Sequence, residues 1–132
     1  MAISPNPLYK KLGMKPGALW KIIHAPDHYF TILGPVGEVK FSSNAVRDLD
    51  GIHVFTNRIV ELEKYMLQLP SQIKKNGSIW FSWYKKSAKQ PTEITEDIIR
   101  DTALALGLVD VKVCAVDQNW SALKIVWRLE NR

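Results

Sequence analysis

The chain has 132 residues, the size of one domain, and can bury roughly two-thirds of its unfolded surface without disulfides or metal. Its apolar fraction of 46% and charged fraction of 23% exclude a disordered chain. The net charge of +5 favours encounter with anions but does not set the fold. Cys114 is the only cysteine, so an internal disulfide is excluded. Met1-Ala-Ile-Ser-Pro-Asn-Pro7 lacks a charged-then-apolar leader pattern, and no apolar run approaches the roughly 20 residues of a membrane helix. These features predict a soluble cytoplasmic protein with one domain over 1–132.

Residues 1–17 read as a docking segment, with Leu8, Tyr9 and Leu12 on one apolar face and Lys15-Pro16-Gly17 as a turn. The α/β core is expected over 18–128. Ala18–His24 is a first strand, and Pro26 opens a short helix that Gly34-Pro35-Val36-Gly37 must end. Glu38–Ser42 alternates as a second strand. Asp50-Gly51 reads as a turn before a strand at Ile52–Phe55. Asn57 then caps a helix whose stripe is Ile59, Leu62, Met66, Leu69 and Ile73, with Pro70 kinking it near Leu69. Lys74 and Lys75 suit that helix's negative end, and Asn76-Gly77 its left-handed cap.

Ser78–Tyr84 is a nearly continuous apolar and aromatic run, as in a central strand covered on both faces. Thr95 caps the next helix, Ile94 and Ile99 take the hydrophobic-staple positions, and Gly107 ends it. Val109–Val116 and Ala122–Arg128 follow with no helix between them, so this pair is antiparallel. Strands alternating with helices elsewhere predict an α/β fold: a three-layer, Rossmann-like, mostly parallel sheet with a C-terminal antiparallel β-hairpin.

Strand, helix, strand, helix and closing hairpin over residues 50–128 resemble the C-terminal half of class I methyltransferases. In that family the last strand inserts between the two before it. Ile73-Lys-Lys-Asn-Gly-Ser-Ile-Trp-Phe81 resembles the family's "LKPGG" turn into a strand. A second resemblance spans nearly the whole chain. Lys11-Leu-Gly-Met-Lys-Pro-Gly17, Trp80-Phe-Ser-Trp-Tyr-Lys-Lys-Ser87, Leu104-Ala-Leu-Gly-Leu-Val-Asp-Val-Lys-Val-Cys-Ala-Val-Asp117 and Trp120-Ser121 are similar to small bacterial proteins of the domain of unknown function 3052 family. That likeness implies a bacterial source and carries over no catalytic residues.

The methyltransferase resemblance implies a glycine-rich cofactor loop after the first strand, where glycine lets the backbone approach S-adenosylmethionine. Here that position reads His24-Ala-Pro-Asp-His-Tyr-Phe30, without glycine. The acidic residue expected at the second strand's end is replaced by Phe41-Ser-Ser-Asn44. No G-x-G or G-x-x-x-x-G-K-[ST] phosphate cradle is present either. The sequence therefore argues against S-adenosylmethionine and predicts no cofactor. It favours a non-catalytic domain that binds a small ligand or protein partner. A divergent S-adenosylmethionine-dependent methyltransferase-like enzyme is the first alternative, and a nucleic-acid-binding protein the second.

Ligands of open α/β sheets sit beyond the strands' carboxyl ends. That rule selects His24, Asp27 and His28 after the first strand, and Thr56, Asn57 and Arg58 after the strand at Ile52. Tyr84, Lys85, Lys86 and Ser87 follow the central strand, beside Trp83. Asp117, Asn119 and Trp120 belong to the hairpin loop. Strand spacing would put His24 and Asp117 roughly 20 Å apart, too far for one small ligand. His24, His28 and His53 fall on one side but lack a metal-site spacing, so hydrogen-bonded structural histidines are expected and no metal is predicted. Lys85, Lys86 and Lys89 beside Trp83 and Tyr84 carry the nucleic-acid alternative. Lys112 and Lys124 would extend that patch or guard a sheet edge, which also leaves homo-oligomers open. Cys114, inside a strand, is expected to be inert, and no serine has a G-x-S-x-G context. Trp120 reads as a cap on the helix layer.

Overall fold

The computed structural model describes residues 6–132, so the first five residues of the docking segment lie outside the described residues. Six strands form one sheet: β1 (Leu19–Ile23), β2 (Lys40–Phe41), β3 (Leu49–Phe55), β4 (Ile73–Tyr84), β5 (Leu108–Ala115) and β6 (Trp120–Trp127). Their spatial order is β2-β1-β3-β4-β6-β5. β2, β1, β3 and β4 run parallel, while β6 is antiparallel to both β4 and β5. The last strand does insert between its two predecessors, and the Rossmann-like α/β sheet with its closing hairpin is present as expected.

The sheet separates two apolar layers. On one face, α3 (Ile59–Gln68) and α4 (Glu96–Leu104) pack on Ile52, Val54, Ile79, Phe81, Leu123 and Ile125, all at most 1% exposed. On the other, α1 (Leu8–Leu12) and α2 (Tyr29–Leu33) cover Trp20, Phe55, Trp80, Trp120 and Ala122. Leu8 and Leu12 anchor α1, and the Trp80 indole N–H donates to the Leu12 carbonyl at 3.0 Å. Burying that donor against a helix end satisfies both groups at once. Thr95 caps α4 as expected, accepting from the Ile98 N–H, and Ile94 and Ile99 are both buried.

Four local expectations are corrected. Asp50-Gly51 is not a turn: both residues lie inside β3. Gly51 is required there because a Cβ would overlap the Trp20 indole on the neighbouring strand. The helix after Asn57 does not reach Ile73; it stops at Gln68, and Pro70 opens a single 3-10 turn. Proline lacks the N–H and crowds the preceding turn, so it ends the helix rather than kinking it. Lys74-Lys75-Asn76-Gly77 is consequently the amino half of the 12-residue β4, not a helix end. The second strand also shrinks, to Lys40–Phe41.

Candidate functional site at the carboxyl edge of the sheet

At the exit of β1, His24 adopts a left-handed backbone with φ 59°. Histidine enters this region more readily than branched residues. Its Nε2 lies 3.1 Å from the Tyr65 hydroxyl of α3, and the two rings meet edge to face. Burial and the nearby Glu61 push the Tyr65 phenol up. Asp27 is exposed beside this exit, and Ser43 and Asn44 are exposed just beyond β2.

The segment after His24 does not stay above its own strand. It crosses β3, and Tyr29 of α2 packs edge to face on both His53 and Phe55. The Tyr29 hydroxyl lies 2.8 Å from His53 Nδ1, and His53 Nε2 lies 2.6 Å from the Ser82 hydroxyl of β4. One ring nitrogen donates and the other accepts, so a neutral imidazole satisfies both partners. Burial pushes the His53 pKa down to about 3. The same burial, with the charge of Cys114, pushes the Tyr29 phenol up.

This crossing brings His28 to the hairpin loop, with Nε2 3.0 Å from Asp117 Oδ2. The strand-spacing expectation concerned His24 and Asp117; His28, four residues further on, reaches Asp117. Strand spacing measures the sheet, whereas this loop runs across it. Asp117 Oδ1 also accepts the backbone N–H groups of Asn119 and Trp120, at 2.7 and 2.9 Å. Lys85 donates its ammonium to the Asp117 carbonyl at 2.7 Å. Trp120 is buried, tilted against Tyr84 at 4.2 Å between ring centroids and edge-on to Phe55. Replacing Asp117 by Ala should cost about 2 kcal/mol, because one carboxylate organises two backbone donors and an imidazole. Denaturant unfolding checks this, and a cost below half that value would show the loop to be held by Trp120 alone.

Thr56 and Asn57 close the middle of the edge. Asn57 does not cap α3; its Oδ1 accepts the Tyr84 N–H at 2.8 Å. The capping position belongs to Arg58, and the Glu93 carboxylate accepts the Ile59 N–H instead. Thr56 donates to Glu61 at 2.8 Å. Arg58, Lys86, Ser87 and Lys89 are exposed. Cys114 is half-buried, and burial raises its thiol pKa against the pull of Lys11, Lys112 and Lys85. Among the described residues, no group of three His, Cys, Asp or Glu side chains is placed to hold a metal ion. Lys112 lies on the outer strand β5 and Lys124 on the interior strand β6, so only Lys112 guards an edge. No helix among the described residues is long and apolar enough to cross a membrane.

No protein-family model matches the chain, and no curated protein matches it. Among solved structures, it is similar to a SAM-dependent methyltransferase from Aquifex aeolicus. The TM-score is 0.66 at 14% identity, over 93% of this chain and 89% of that one. It also resembles magnesium protoporphyrin IX methyltransferase from Synechocystis PCC 6803 with bound SAH (TM-score 0.61, 11% identity, 86% of this chain and 75% of that one). A third is ribosomal protein L11 methylase from Lactobacillus delbrueckii subsp. bulgaricus (0.54, 11%, 91% and 74%).

These neighbours correct two expectations. The preference for a non-catalytic ligand- or partner-binding domain is overturned in favour of its methyltransferase-like alternative. So is the expectation that no cofactor, and specifically no S-adenosylmethionine, belongs here. Both rested on the missing glycine loop and on the missing acidic residue at the end of the second strand. The left-handed turn that glycine would permit is present at His24 without it. At these identities the likeness shows a methyltransferase-like Rossmann fold.

Proposed function

We propose that this chain is a divergent S-adenosylmethionine-dependent methyltransferase-type domain whose cofactor lies across the carboxyl ends of β1, β2 and β3. The observation that carries the proposal is the left-handed backbone at His24, at the exit of β1 in a methyltransferase-like sheet. The donor set fits the group. Ser43 and Asn44 offer hydrogen-bonding side chains for ribose hydroxyls in place of the usual carboxylate. Asp27 and Arg58 offer opposite charges for an amino-acid portion. When bound, the cofactor would supply an electrophilic methyl group.

The chain's own contribution is proton handling and orientation. Asp117 holds His28 through Nε2, and Nδ1 has no partner among the described residues. That nitrogen is the candidate acceptor for a proton leaving a substrate nucleophile. Tyr29, fixed to His53, keeps α2 over β3 and so keeps His28 in reach of the hairpin. The motifs shared with the domain of unknown function 3052 family support a small bacterial protein, and the lone cysteine supports a cytoplasmic setting.

Isothermal titration with S-adenosylmethionine and S-adenosylhomocysteine tests the reading. Micromolar binding is expected, weakened about tenfold by replacing both Ser43 and Asn44 with Ala, as loss of two hydrogen bonds implies. Absence of binding by both compounds at millimolar concentration would overturn it.

A further inference from the structure

A cavity of about 630 Å³ opens at the opposite, amino-terminal edge of the sheet, away from the proposed cofactor position. Its size is that of small-molecule sites. The register explains why it exists. Trp20 pairs with Gly51, and Gly51 with Ser78, so a wide indole is followed by two small residues on one face. The loop from Gly13 to Ala18 forms one wall, and Val111, Lys124 and Val126 of the hairpin strands contribute to another.

The wall is strongly cationic. Lys15, Lys74, Lys124 and Arg132 line it, with Asp50 as the one acidic side chain among the lining residues. Asp50 is already engaged, by Lys74 at 3.1 Å and by the Leu19 N–H at 2.8 Å. Lys15 and Lys124 make no ion pair among the described residues. Burial lowers the Lys124 pKa, and the positive charges of Lys112 and Lys15 lower it further. A bulge in β5 between Asp110 and Val113 sets two residues, Val111 and Lys112, against the single Lys124 of β6. Gathering Lys15, Lys112 and Lys124 with no carboxylate of their own costs stability, which a bound anion would relieve.

A second, independent observation points the same way. Trp20 lines this cavity, is 2% exposed, and its Nε1 is the one buried side-chain polar atom without a hydrogen-bond partner among the described residues. Buried donors are nearly always paired, so an orphaned one beside a cationic cavity marks a place for an acceptor. The rest of the wall is apolar, from Leu12, Pro16, Val111 and Val126.

We propose that this cavity is a second binding site, for a phosphorylated small molecule whose phosphate sits between Lys15 and Lys124 and accepts from the Trp20 indole N–H, while its apolar body lies against Pro16, Val111 and Val126. Neither S-adenosylmethionine binding nor the carboxyl edge enters this claim, so the two proposals stand or fall separately.

Titration with inorganic pyrophosphate and 1-naphthyl phosphate at low salt tests it. Both should bind, and the naphthyl compound should bind more tightly than inorganic phosphate titrated alongside as the control without an apolar body. The Lys15→Gln/Lys124→Gln double variant should weaken both at least about tenfold. Lys86→Gln/Lys89→Gln, on the other edge, should leave both unchanged. In the unsubstituted protein, the Trp20 indole N–H resonance, assigned through Trp20→Phe, should move on titration. This readout holds even if the double variant fails to fold. No binding at millimolar concentration, equal weakening by both double variants, or an unmoved Trp20 signal would overturn the proposal. So would displacement of naphthyl phosphate by a single-stranded oligonucleotide that binds more tightly through the same lysines, since the occupant would then be a nucleic-acid backbone.

Discussion

Acidification from pH 7 to pH 4.5 is expected to narrow the stability gap between the wild type and His53→Gln by about 2.5 kcal/mol. His53 is fully buried, and its neutral ring bridges Tyr29 of α2 and Ser82 of β4. Burial holds its folded pKa at about 3, against 6.5 for a solvated imidazole. Between those values the unfolded chain binds a proton that the folded chain refuses. Stability is therefore complete above pH 6.5 and falls by about 1.4 kcal/mol per unit as pH drops toward 3. Surface carboxylates titrate in the same window, but they do so equally in the variant, and the difference isolates His53. At neutral pH the variant itself should be less stable by about 2–3 kcal/mol, since glutamine does not reproduce both hydrogen bonds. Urea unfolding of both proteins across the range gives the numbers. A gap that stays constant with pH would mean that His53 is reached by water and is not the tie between α2 and the sheet.

The sheet was readable from the sequence because its signals are local. The apolar run at Ser78–Tyr84 and the cap at Thr95 each name their own element, and so does the hairpin turn at Asp117, although Trp120 and Ser121 belong to β6 and not to the loop. The failures came where a distant partner decided the backbone. Lys74-Lys75-Asn76-Gly77 has the composition of a helix end, yet Ile73 pairs with Leu49, and a Cβ on Gly77 would lie 2.9 Å from the Asp50 carbonyl oxygen. Close approach, not a left-handed turn, is why glycine stands there. At His24 the reading looked for glycine after the first strand and found none, and nothing in the composition of that segment announces that histidine takes a left-handed backbone there. The pairing of His28 with Asp117, 89 residues apart, has no signature in the sequence, because it depends on a loop crossing a neighbouring strand. The cavity at the amino edge was hidden for a similar reason. Lys15, Lys74 and Lys124 are scattered along the chain and meet only through strand register and the loop that precedes β1.

Gly51→Ala is expected to destabilise the domain by about 3 kcal/mol, the upper range for forcing a methyl into a packed core, with a fall in Tm of roughly 10 °C. Gly51 lies in the middle of the sheet with an ordinary backbone, so neither turn geometry nor left-handed strain enters. The cost comes from Trp20, whose six-membered ring occupies the space of the missing Cβ. That indole is buried between β1 and the α1 layer, so moving it disturbs the packing around it. A double-mutant cycle tests the cause. In a Trp20→Leu background the same alanine should cost less than half as much, because the smaller side chain vacates the contact. Equal costs in both backgrounds would assign the effect to the backbone of β3 instead. The cycle also bears on the amino-edge cavity, where Trp20 forms part of the wall. An indole displaced by Gly51→Ala should weaken 1-naphthyl phosphate and inorganic pyrophosphate alike, since the phosphate of each would accept from its N–H.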